Sequence, residues 1–68
     1  MSASIRVNGK DEALVAPTVA ALLEARGVAK RRGVAVAVNG TVVPASAWGE
    51  SRLQAGDEVE IVRPFGGG

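Results

Sequence analysis

Two Asn-Gly dipeptides, Asn8-Gly9 and Asn39-Gly40, each stand between short runs of strand-favouring residues. Both residue types tolerate positive φ, which a two-residue type I′ turn demands at both central positions. Each dipeptide therefore predicts a β-hairpin. Before the first turn, Ile5-Arg6-Val7 alternates apolar and polar, the mark of a half-buried strand. The return run, about 11–15, is less regular but strand-compatible. Before the second turn, Val34, Val36 and Val38 alternate with Ala35 and Ala37. This places three valines on one face and leaves the other face low and smooth. Thr41-Val42-Val43 returns, and Pro44 ends that strand or marks it as an edge.

Between the hairpins, Thr18 can cap a helix start through its hydroxyl. Val19, Leu22, Leu23 and Arg26 fall at i, i+3, i+4 and i+7, and Gly27 supplies a left-handed stop. The spacing predicts a helix over about 19–26, too short to persist in water unless its Val/Leu stripe docks on a sheet. After Pro44 the segment 45–53 reads as irregular, with a single turn near Ser46 to Trp48. Gln54-Ala55-Gly56-Asp57 is a turn, and Glu58 to Val62 is a last strand with Val59 and Ile61 facing inward. The order ββ, helix, ββ, irregular crossover, β predicts an α+β layer arrangement: one helix on one face of a mixed four- to five-stranded sheet. The β-grasp, or ubiquitin-like, topology fits this order and length. Residues 1–63 are read as the β-grasp domain and 64–68 as a flexible C-terminal tail ending in Gly-Gly.

The 68 residues allow one core and no second domain. An apolar fraction of 47% and a net charge of +1 argue against disorder. The absence of cysteine excludes disulfides and thiolate metal sites. With no histidine, the commonest general base and metal ligand is missing too. The expectation is a protein that is not itself an enzyme and binds no cofactor or metal. No targeting signal is read at Met1-Ser2-Ala3-Ser4, and an apolar run such as Val34 to Val38 is far too short for a membrane span. The expected compartment is the cytoplasm, with no membrane partner.

Trp48 is read as a core or lid residue under the irregular segment, as large aromatics usually are. Lys30-Arg31-Arg32 follows the helix and reads as a solvated loop. A clustered basic footprint with stacking aromatics is missing, so no nucleic-acid partner is expected. Glu58 and Glu60, two apart on one strand face, read as a solubilising edge. The turn glycines form no phosphate loop of the G-x-x-x-x-G-K-[ST] type, so ATP is expected on a partner and not on this chain.

The run Val34 to Pro44, then Trp48, then Leu53 to Val62 and the glycine terminus resembles the ThiS family, the sulfur carriers of thiamine biosynthesis. The likeness covers nearly the whole chain and is densest in its second half. It rests on the VNG turn, VVP, a tryptophan four residues on, a GD turn and a terminal Gly-Gly. A third glycine, Gly66, and Phe65 after Pro64 depart from the usual pattern, in which aliphatic residues are common before the glycines.

The resemblance implies a mechanism. The Gly68 carboxylate would be adenylated by an E1-like, ThiF-like enzyme using ATP. A cysteine desulfurase or other sulfur donor would convert it to a thiocarboxylate, and a ThiG-like thiazole synthase would take the sulfur. Such a carrier needs reach rather than acid or base groups. Extended at about 3.4 Å per residue, the segment Pro64 to Gly68 spans at most about 17 Å. Gly66 and Gly67 would let it thread a narrow partner tunnel. Ala35 and Ala37, on the sheet face opposite the helix, are candidate partner contacts. So is Phe65, which either docks on a partner or packs back on the domain edge. The free carrier is expected to be a monomer. Two alternatives stand beside this reading: the small subunit of molybdopterin synthase, also a sulfur carrier, and a non-covalent β-grasp interaction module. A ubiquitin-like modifier joined to lysines would use the same terminus.

Overall fold

Each Asn-Gly pair adopts the left-handed backbone that the turn requires: φ is +51° at Asn8 and +52° at Asn39, and +83° at both following glycines. The computed structural model describes residues 3–29 and 32–63. The first turn joins β1 (Ser4–Val7) to β2 (Lys10–Ala13), and the second joins β3 (Ala35–Val38) to β4 (Thr41–Val43). Both pairs are antiparallel. The last strand, β5 (Glu58–Val62), inserts between the hairpins. It runs parallel to β1 and antiparallel to β3, giving the order β2-β1-β5-β3-β4.

The helix α1 (Val19–Ala25) crosses one face of this sheet. Its buried residues Val19, Leu22 and Leu23 meet the inward residues Ile5, Val7, Val36, Val59 and Ile61, with Ala16, Val28 and Leu53 completing the core. A seven-residue helix leaves nearly half of its amides without intrahelical partners, and each one here is accounted for. Thr18 caps as expected, its hydroxyl accepting from the Ala21 amide at 3.1 Å. The Val19 and Ala20 amides donate to the carbonyls of Ser51 and Trp48. The crossover segment is thus stitched to the helix start, a role its sequence did not announce. At the other end Arg26 is the cap residue and Gly27 turns left-handed at φ +74°. The Gly27 amide reaches Glu24 O and the Val28 amide reaches Leu23 O, the paired bonds of a Schellman motif. Val28 and Leu23 both bury in the core, as that motif favours.

Two expectations need correction. The second strand stops at Ala13, short of Val15, because its only neighbour among the described residues, β1, begins at Ser4. The ladder ends with the Leu14 amide on Ala3 O, and Val15 is 84% exposed. Glu58 and Glu60 do not lie on an edge: β5 is the central strand, and these carboxylates are exposed because no described residue covers that face of the sheet. Lys30 and Arg31 of the expected basic loop lie outside the described residues.

The two asparagines do more than turn the chain. The Asn8 side chain accepts from the Ile61 amide at 2.8 Å and donates to the Ile61 carbonyl at 3.3 Å. It acts as one more peptide unit on the β1 side of β5. On the other flank, Asn39 Oδ1 accepts from the Glu58 amide at 3.0 Å and its Nδ2 donates to Asp57 at 3.1 Å. Trp48 is half-buried against the core, and its indole N–H donates to Val43 O at 3.0 Å, tying the crossover to β4.

Replacing Asn8 by glycine separates turn formation from strand clamping. A residue needed only for positive φ would be replaced at no cost, since glycine adopts that backbone freely. The Asn8→Gly variant is instead expected to lose about 1–2 kcal/mol in urea unfolding, because both Ile61 backbone groups lose their partner. Trp48→Phe, which keeps the aromatic bulk, is expected to lose about 1 kcal/mol by the same measurement.

Candidate functional site

Strand alternation sends the helix-facing residues of β5 inward and leaves Glu58, Glu60 and Val62 on the opposite face. The long-range register then fixes their neighbours. Ala37 lies between Glu60 of β5 and Val42 of β4, while Ala35 lies beside Val62. The alanines expected at a partner contact are therefore side by side on the face away from the helix, flanked by two large apolar side chains. Val42 is 71% exposed and Val62 is 62% exposed, high values for valines within paired strands. Ala35 is exposed and Ala37 half-buried. The result is an apolar strip, Val42–Ala37–Ala35–Val62, low in the middle and raised at its ends.

Val42 and Val62 were not singled out from the sequence. Val42 was within reach, because the Asn39-Gly40 turn fixes it opposite Ala37. The place of Val62 depends on the pairing of β3 with β5, for which the sequence carries no local signal.

The polar part of the face lies toward β1 and β2. Arg6 stands beside Glu58 in the register and pairs with Asp11 at 3.3 Å. Both groups of that pair are largely solvated, so it adds little stability and mainly sets where charge lies. Glu60 forms no ion pair among the described residues.

This face reaches the last of the described residues. Val62 is the last residue of β5, and the described chain ends at Arg63. Phe65, Gly66, Gly67 and Gly68, the expected tail and attachment residues, lie outside the described residues. So does Pro64. What the fold shows is where the described chain stops: one residue past the end of the central strand, beside the apolar strip. Among the described residues no helix is long and apolar enough to cross a membrane.

Comparison with known proteins bears on the whole chain. The ThiS family model matches residues 5–68. The crystal structure of the thiamine biosynthesis protein ThiS from Geobacter metallireducens is similar, with 34% identity and a TM-score of 0.78. That likeness covers 96% of this chain and 99% of the other. The solution structure of a thiamine biosynthesis protein from the same organism is also 34% identical, with a TM-score of 0.77, covering 96% of this chain and 87% of that one. No curated protein matches the chain. A family match over nearly the full length, on a mixed sheet with one helix across it, makes this chain a member of the ThiS family with a β-grasp fold.

Proposed function

We propose that the chain is a sulfur carrier that delivers sulfur for the thiazole ring of thiamine. The family match carries this reading, because it runs through residue 68 and so includes the glycine terminus along with the folded body. The likeness to structures of thiamine biosynthesis proteins supports the pathway. On this reading residues 1–63 form the body, 64–68 the tail, and the chain is a co-substrate of its partners, not a catalyst.

The chemistry falls on the Gly68 carboxylate. Carboxylates of this kind are ionised near neutral pH, with a pKa of about 3.5. They attack phosphorus readily but acylate poorly. An E1-like partner would let the carboxylate oxygen attack the α-phosphate of ATP, releasing pyrophosphate and leaving an acyl-adenylate. The terminal sulfur of a cysteine persulfide would then displace AMP, giving an acyl disulfide. A second thiol would cleave its S–S bond, becoming oxidised to a disulfide and freeing the thiocarboxylate. Thiazole synthase would be the acceptor. ATP and the sulfur donor belong to those partners.

The body's part is docking. Ordering a glycine-rich tail in a tunnel costs about 1–2 kcal/mol per residue in backbone entropy, which contacts elsewhere must offset. The strip around Ala35 and Ala37 is the surface the fold offers for that. Its low centre allows close backbone approach, and Val42 and Val62 supply apolar area. Phe65, two residues beyond Arg63 in the sequence, is a candidate contact on the same partner.

Incubated with the adenylating enzyme, ATP and a persulfide donor, the protein is expected to gain the mass of one sulfur-for-oxygen exchange, located at Gly68 by fragment mass spectrometry. The chain lacking Gly67 and Gly68, which no longer ends in Gly-Gly, should unfold at the same urea concentration and gain nothing. An unaltered exchange in that truncated chain refutes the reading. Partner binding that survives truncation with no adenylate formed would favour the non-covalent module instead. Ala37→Phe tests the docking face: aromatic residues favour strands, so stability should hold. The added ring should raise KM for the carrier about tenfold or more in pyrophosphate exchange, by the cost of a misfitted interface centre.

A further inference from the structure

The described residues end on a cationic side chain that borders a cleft. Beyond Ile61, strand alternation returns Arg63 to the helix side of the sheet, where it lines a cleft of about 220 Å³ with Asn8, Arg26, Val28 and Ile61. The cleft is firmly built. Its floor is Ile61, whose backbone is held by the Asn8 side chain, and Val28, fixed by the Schellman closure of α1. Arg26 is held by an ion pair with Glu12. Arg63 has no ion-pair partner among the described residues. On the opposite face the same strand carries Glu58 and Glu60.

A carboxylate entering the cleft meets Arg63, which no described carboxylate neutralises, beside the Arg26–Glu12 pair. Guanidinium groups suit such a guest, because their planar donor fork matches a carboxylate bidentately. We propose that this cleft receives an acidic side chain, Asp or Glu, from the adenylating partner. The contact fixes the rotation of the carrier about its tail as Gly68 enters the nucleotide site. The choice of occupant follows from position: Arg63 directly precedes Pro64 to Gly68, so whatever encloses the tail passes beside it. The inference rests on the carrier reading and adds to it a second, electrostatic contact on the side away from the apolar strip.

The test measures binding of the full-length carrier to the adenylating enzyme by calorimetry over a salt series, and pyrophosphate exchange in parallel. Arg63→Glu is expected to weaken binding about tenfold and to flatten its salt dependence, as loss of a partly exposed charge contact does. KM should rise with kcat unchanged. Arg63→Lys should recover most of the affinity. Arg26→Gln, made on the other wall of the cleft, should weaken binding severalfold in the same salt-dependent way, while Glu60→Gln should not. Urea unfolding of each variant separates docking from folding. Equal affinity and equal salt slope for Arg63→Glu and the unmodified chain overturn the proposal. Wild-type binding without any adenylate would overturn the carrier chemistry while leaving the cleft contact open to the same measurements. No binding by the wild-type chain overturns both.

Discussion

The last strand holds the molecule together. The two hairpins share no hydrogen-bonded strand pair with each other, and β5 joins them by pairing with β1 on one side and β3 on the other. Its position is secured by side chains as well as by ladders. Asn8 bonds both backbone groups of Ile61, and Asn39 bonds the Glu58 amide and the Asp57 carboxylate. Asp57 in turn accepts from the Gln54 amide at 2.8 Å, closing the turn that admits β5 to the sheet. The residues that reverse the chain in each hairpin also grip the strand that unites them. A small domain has little apolar area to spare, so the alignment of its central strand cannot rest on core packing alone.

That arrangement has a functional corollary. The strand so held is the one that ends at Val62, one residue short of the last described position. Its inward residues Val59 and Ile61 are buried, its outward residues line an open face, and Arg63 begins a charged margin. A rigid launch point matters to a carrier, since looseness at the root would add to the entropy lost when a tail is drawn into a partner. The edge strand β4 carries features that discourage pairing with another strand. It is three residues long, Pro44 denies it a further amide donor, and the Trp48 indole covers the Val43 carbonyl.

The helix shows the same economy. Seven residues cannot sustain a helix in water, and this one persists because its stripe is buried and its ends are closed. Thr18 and Gly27 do this locally. The carbonyls of Trp48 and Ser51 do it from a segment that has almost no regular structure of its own. The irregular crossover is thus a cap for α1 and, through Trp48, a brace for β4.

Local chemistry in the chain determined both turns, the helix and its two closures, and the alternation that puts Ala35 and Ala37 on one face and Val36 on the other. Each of these depends on neighbours a few residues apart, so a pattern in the chain is enough to express it. The tertiary structure decided what depends on residues far apart: that Glu58 and Glu60 lie mid-sheet and not at an edge, that Val62 completes the strip beside Ala35, that Asn8 clamps Ile61, and that Arg26 and Arg63 share a cleft. The physical reason is that strand order and register are set by burial and hydrogen bonding summed over the whole sheet, a sum that no single stretch of residues contains.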